Sequence, residues 1–245
     1  MSEAGTLYVK GIYDRFAYLA TWLPNTNLAL GDVGVQEGGY FKRMTSLKEL
    51  GISFKVRSGR KPVDFTYTSQ SGITFQTKAA GEIAAGTTLP LGQAGIVIEF
   101  NENGAFLFQA VGCRVNEIED KVKLGQAVIQ MWREKTWDSS WAVVDTLVKA
   151  GSVTIVVSSS QRASLELSAK TPVAITNLAN VDAGLIVNSQ QGDMVRFLAA
   201  EGLMPLFKLS RIKKSLLASL LGGPRPIYFG GKAAGEDVFE AVEPE

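Results

Sequence analysis

Histidine is absent from the sequence, and that absence decides most of what its reactive side chains could do. Without imidazole there is no Ser-His-Asp or Cys-His relay, and none of the His ligands that most catalytic zinc and non-haem iron sites use. Proton transfer would fall to Asp, Glu, Lys or Tyr with shifted pKa values. The one cysteine, Cys113, excludes an intramolecular disulfide. It closes an apolar run, where a free cysteine behaves as a small buried hydrophobe; its other use is as a reactive or lipidated thiol. Glu117, Glu119 and Asp120 crowd together and could hold a metal or work as acid and base. At the start of a helical pattern, though, acids serve the helix dipole from a solvated face. A Ser-Lys dyad has no fixed spacing, and no stretch points at one. Phosphate-cradling glycine loops, the G-x-S-x-G elbow, calcium loops and C-x-x-C pairs are missing. No metal and no cofactor are expected, and the chain reads as non-enzymatic.

Composition narrows the class further. Lys and Arg number 25 against 24 Asp and Glu, a net charge of +1, whereas a nucleic-acid binder carries a basic surplus. No nucleic-acid partner is expected. With 46% hydrophobic and 20% charged residues the chain can build a packed core. The opening MSEAGTLYVKG lacks a secretory pattern, and no window reaches the ~18 apolar residues of a spanning helix. A cytoplasmic location follows as the expectation.

The elements that must position any site are mostly strands. Tyr8, Ile12, Phe16 and Leu19 recur at helical spacing and predict a helix over 6–22, stopped by Pro24. Ser46 and Glu49 fit a capping box and predict a brief helix ending at Gly51. Residues 115–137 predict another, with Ile118, Val122, Ile129 and Trp132 inward, and 210–221 a basic amphipathic one. From Ile52 the period becomes two, through Ile52–Arg57, Phe65–Thr68 and Ile73–Gln76. The Gly- and Ala-rich stretch 77–95 reads as a long flexible loop. GIVIEF and AFLFQAV, around Asn101–Gly104, predict a hairpin over 94–112. The expected fold is therefore α+β, a mostly antiparallel β-sheet with about three helices packed on one face or at one end. One domain is expected over 1–223, with a flexible acidic tail over 224–245.

Two features stand out. In the stretch 150–171, read as a hairpin, Val153, Ile155 and Val157 face one way in the first arm. Leu165 and Leu167 do so in the second, with Ser164, Glu166 and Ser168 opposite. Each arm matches the ~9–11 residues with which a β-strand crosses a bilayer, and the alternation is that of a lipid-facing strand, although a half-exposed soluble strand shows it too. Between Gly202 and Gly235 there are six basic residues and no acid. Among them Lys208, Arg211, Lys213 and Lys214 could meet anionic headgroups.

Amphipathic hairpins, a Gly/Ala-rich loop, a basic segment and a detachable tail together resemble gasdermin-type and other β-pore proteins. The likeness is one of layout, carried by no residue motif. It implies an effector that self-assembles into homo-oligomers and perforates membranes. Its partners would be membrane lipids and a protease that removes the tail after Gly223, and it would move from the cytoplasm to the membrane. Two alternatives stand beside it: a structural or adaptor subunit assembling through sheet edges, and an enzyme of unfamiliar type using Asp, Lys or Tyr.

Overall fold

The computed structural model describes residues 2–24, 27–37, 39–69, 72–77, 81–83, 90–91, 95–171, 173–212 and 239–244. In chain order they form α1 (Glu3–Phe16), β1 (Leu19–Ala20), β2 (Asp32–Glu37), β3 (Tyr40–Ser46), β4 (Val56–Ser58), β5 (Val63–Thr68), β6 (Ile73–Thr77), β7 (Gly81–Ile83) and β8 (Pro90–Leu91). There follow β9 (Ile96–Phe100), β10 (Phe106–Ile118), α2 (Lys121–Arg133), β11 (Ala142–Lys149), β12 (Ser152–Ser158), β13 (Ala163–Ala169) and β14 (Val173–Ala174). Two single 3-10 turns, Ile175–Asn177 and Val181–Ala183, precede β15 (Leu185–Gln191), β16 (Met194–Glu201), β17 (Leu206–Ile212) and β18 (Phe239–Ala241). Antiparallel sheet dominates, and the described residues hold two α-helices, so the fold is a sheet-rich α+β.

The chain divides into two compact units. The first takes 1–26, 59–115 and 148–206; the second takes 27–58, 116–147 and the described part of 207–245. In the first unit β5, β10, β12 and β16 make one antiparallel sheet, and β6, β9, β13 and β15 another, with β7 outside β6. Helix α1 covers one face of the first sheet: Ala4, Tyr8, Val9 and Ile12 pack on Phe106, Phe108, Val153, Ile155 and Val157. The other face, through Leu107 and Val156, meets the inner side of the second sheet at Ile98, Phe100, Leu165 and Leu167. The first sheet is thus a middle layer, which is why every residue of β12 is buried.

Helix α1 starts where the Ser2 hydroxyl accepts from the Gly5 amide at 3.2 Å, and it ends at Ala17, whose φ of 54° is left-handed. The helix predicted as far as residue 22 therefore stops earlier: Leu19 and Ala20 turn into β1, and the Thr21 amide binds the Pro205 carbonyl.

The second unit builds its core from Val33, Leu47, Ile118, Leu124, Val128 and Val143. Its β2–β3 ladder slips by one residue at Gly34, where a Cβ would meet the Lys42 carbonyl at 2.0 Å. The Ser46–Glu49 capping bond forms at 3.2 Å but closes a turn and no helix. Helix α2 begins later than the spacing predicts, because residues 115–118 finish β10 and Asp120 caps, accepting from the Lys123 amide at 2.8 Å. Residues 210–212 of the predicted basic helix end strand β17; the rest of that helix lies outside the described residues, as does most of the 77–95 loop. The chain's end, expected as a frayed tail, contributes β18, paired to β17.

Candidate functional site

The first unit carries one relationship that local sequence patterns hide. Phe100 faces Ala163 in one sheet and Phe106 faces Val157 in the other, six residues on along one chain and six back along the other. Between them the Gly104 amide binds the Ser158 carbonyl, and the Ser158 amide binds the Ala105 carbonyl, at 2.9 Å each. The two sheets are therefore two halves of one ribbon. Its four antiparallel paths are 63–77, 96–118, 152–169 and 185–201, each bent in the middle. The outer strands stay bonded at the bend, by Asn101 to Gly72 at 2.7 Å and Ser159 to Asp193 at 2.8 Å, but their registers differ on its two sides. Gly72, Gly104, Arg162 and Gly192 sit at the four bends with φ of 83°, 80°, 59° and 77°. A left-handed residue in each path is what turns it out of the first sheet and into the second.

The hairpins expected over 150–171 and 94–112 are corrected by this pairing. Strands β12 and β13 do not pair with each other, nor do β9 and β10; each lies with its partners in a different sheet. The Ser-rich turn at 158–162 and the Asn-Gly turn at 101–104 carry the residues of hairpin loops, but here they are crossings. The true reversals fall between Thr77 and Ile96 and between Ala169 and Leu185. Both lie at the same end of the ribbon, since Thr77 faces Ile96, Ile96 faces Leu167 and Ala169 faces Leu185.

Side-chain alternation keeps its phase through the bends. Along 152–169 one parity reads Val153, Ile155, Val157, Ala163, Leu165, Leu167, while the other reads Ser152, Thr154, Ser158, Ser164, Glu166, Ser168. Opposite them Ile96, Ile98, Phe100, Phe106, Phe108 and Ala110 share the apolar parity. Path 63–77 agrees: Phe65, Tyr67, Ile73 and Phe75 alternate with Asp64, Thr66, Thr74 and Gln76. Val156 and Leu107 are apolar residues on the polar parity that lie where the two halves of the ribbon meet. Val97 and Val111 share that parity, and at the bends Glu102, Ser159 and Gln161 fall on the apolar one.

Val153, Ile155, Val157, Leu165 and Leu167 are each 0% exposed, so in this form none is presented to solvent or lipid. The first three lie under α1, and the other two in the core between the half-sheets. On the polar side, the Gln76 amide donates to Glu99 at 2.9 Å, Ser168 donates to Asn188 at 3.0 Å, and Ser189 donates to Glu166 at 3.2 Å.

The basic residues are partly accounted for. Arg211 donates to Glu240 on β18 at 2.8 Å, half-buried; Lys208 stands on the same strand, β17. Lys213 and Lys214 lie outside the described residues. The Val242 amide binds the Leu209 carbonyl at 3.1 Å and its side chain is buried, so the chain's end is seated on β17 through backbone and apolar contact as well.

The groups weighed for chemistry have structural employment. Glu117 pairs with Arg57 at 2.8 Å and Asp120 caps α2, so the acidic trio is split between a strand end and a helix start. Asp145 is 2% exposed; it accepts from Lys121 at 2.9 Å, from Thr146 at 2.6 Å and from Ser210, and so ties the start of α2 to its strand. Burial, and then the charge of Asp64, push the Cys113 thiol up to about 12, away from nucleophilic or metal-binding use. Among the described residues no group of three or more Cys, Asp or Glu converges, and no helix is long and apolar enough to cross a membrane, which says nothing of crossing by strands.

Sequence reasoning missed the ribbon because turn residues at each bend look like strand ends. The usable signal was the phase of the alternation, unchanged on either side of 158–162. No protein-family model matches the chain, and no curated protein matches it either.

Proposed function

We propose that this chain is a non-enzymatic effector that self-assembles and perforates membranes by straightening the bent ribbon into two long β-hairpins. The observation that supports it is the register of the central pair, 96–118 with 152–169, which runs unchanged from one half-sheet into the other with its apolar parity. Straightened, 152–169 is about twice the ~9–11 residues a tilted strand needs to cross a bilayer. Its apolar side would then read Val153, Ile155, Val157, Ala163, Leu165, Leu167, interrupted at the bend by Ser159 and Gln161, with Ser, Thr and Glu and the one apolar Val156 opposite. A membrane strand likewise sets a lipid-facing side against a water-facing one. The two hairpins are 63–118 and 152–201.

Assembly follows from the outer paths. Residues 185–201 form an edge in both halves and contain neither Lys nor Pro, the usual guards of a free edge. Four paths per copy is an even number, so β5 of one copy can pair with path 185–201 of the next and keep the alternation of direction around a closed ring, and β6 can follow once β7 leaves its outer side. In the compact form the apolar side is covered by α1 and by the back of the ribbon itself. The C-terminal strand pairs with β17 and occupies Arg211 with Glu240; its removal by a protease would free Arg211 to join Lys208, Lys213 and Lys214 in meeting anionic headgroups.

Dye release from anionic liposomes tests this, comparing the full chain with one ending at Gly223. Release by the shortened chain supports the reading, and silence from both folded chains overturns it. The unguarded edge equally favours a second reading, a structural or adaptor subunit built by edge pairing; closed oligomers formed without lipid, with no release, select it.

A further inference from the structure

We infer that the segment 173–183 is a latch, pinned to the middle layer by Gln109, Ser152 and Thr154, whose release must precede straightening of the ribbon; this rests on the perforation reading.

The three side chains are polar residues on the inner face of the first sheet, 2%, 4% and 0% exposed. Such groups are costly there unless each finds a partner. All of their partners on the segment are backbone atoms. The Gln109 amide nitrogen donates to the Ile175 carbonyl at 2.8 Å while its oxygen accepts from the Leu178 amide at 2.7 Å, so one side chain clips both ends of a 3-10 turn. Thr154 donates to the Leu178 carbonyl at 2.8 Å and Ser152 to the Ala179 carbonyl. Thr154 also accepts from the Ala199 amide at 2.8 Å, linking the outermost path to the same cluster. Ile175, Leu178, Ala179 and Ala183 are fully buried beside these bonds.

The geometry makes this segment a clasp rather than ordinary packing. Its ends leave Ala169 and Leu185, at the far end of the ribbon, yet its bonds reach back to Gln109, Ser152 and Thr154 in the near half. In a straight ribbon Thr154 and Ala169 would stand about 50 Å apart, at ~3.3 Å per residue. The bonds and the straight form therefore exclude each other. A cavity of about 630 Å³ lies along one side of the segment, walled by Thr176, Asn177 and Asn180 and by Asp64 and Ser152 across from them. The latch borders open space on that side and is held at its start by the short pairing of Val173–Ala174 with Pro90–Leu91, so it can detach without breaking either half-sheet of the ribbon.

Thr154→Val keeps shape and burial while removing the hydroxyl, and Gln109→Met removes the clip. Hydrogen exchange of the 175–183 amides, without lipid, reads the latch directly: about tenfold faster exchange is expected in each variant, the effect of losing a buried hydrogen bond, with α1 amides unchanged. Dye release by the Gly223-truncated variants is expected to be correspondingly faster. Unchanged local exchange in both variants overturns the latch. Faster exchange with no gain in release, where the truncated parent releases dye, overturns its gating role. Faster exchange with no release from any chain upholds the latch and rejects perforation.

Discussion

The Ser158 amide donates to the Ala105 carbonyl at 2.9 Å in the middle of the bend, and this bond carries the Phe100–Ala163 register into the Phe106–Val157 register without slip. The central pair alone keeps one register through both half-sheets, and the outer ladders, whose registers differ on the two sides of the bend, would shift along it on straightening. The bends, the cover of α1 and the latch hold the half-sheets folded.

The bend at Gly104 is sterically tight. Its φ of 80° strains any side chain placed there, and a Cβ would stand 2.3 Å from the Leu7 side chain and displace it. Gly104→Val is expected to destabilise the compact form by about 2–4 kcal/mol, lowering the thermal midpoint and speeding dye release by the truncated chain. A midpoint equal to the parent's would show that the bend is not held there.

Tyr8 is 0% exposed and its hydroxyl has no partner among the described residues, while its ring meets Phe106 edge-on at 5.1 Å. Burial raises its pKa well above the usual phenol range. Tyr8→Phe keeps the ring contacts and removes the orphaned hydroxyl, so a gain of about 1 kcal/mol in urea unfolding is expected. A loss of that size would mean the hydroxyl is bonded.

Cys113 gives a pH test. Its thiol, held near 12 in the fold by burial, ionises near its ordinary value of about 9 once unfolded. Stability from this group is complete below about pH 9 and falls as pH rises toward 12, by up to ~1.4 kcal/mol per unit. Cys113→Ala should flatten that part of the profile. The native thiol should resist iodoacetamide at pH 8 and react on denaturation.

The Arg211–Glu240 pair is about one-third exposed on each side, so Glu240→Gln should cost under about 1 kcal/mol. It nonetheless frees a cation. Binding to anionic vesicles should rise and weaken again with salt; binding equal to the parent's would remove Arg211 from the lipid contact.

The alternation in 65–76 and 150–171 made the sheet and its antiparallel character legible in the sequence, and Val153, Ile155, Val157, Leu165 and Leu167 do share one parity. Of the strand expected over 52–57, only Val56 and Arg57 join β4. Which strands pair was not legible. Asn101–Gly104 and Ser158–Arg162 have the composition of hairpin turns, and only tertiary contacts with Gly72 and Asp193 show them to be crossings. Helix α1 was found but overrun, because the Ala17 reversal has no glycine to announce it. Gln109, Ser152 and Thr154 read as ordinary strand polars, since their partners are backbone atoms some 24 to 69 residues away.

Aspartate at Ile155 or Leu165 would unfold the compact form, since both are fully buried. The bend offers a gentler test, because Gln161 and Arg162 are adjacent, exposed and of opposite parity. Each is replaced by Cys and labelled with an environment-sensitive dye, Cys113 being buried and protonated. On liposomes the truncated chain should shift the label at 161 toward the blue, as in lipid, and leave the label at 162 in water. Equal signals at both positions would contradict a ribbon that straightens through 158–162, and with it the account of how this chain enters a membrane.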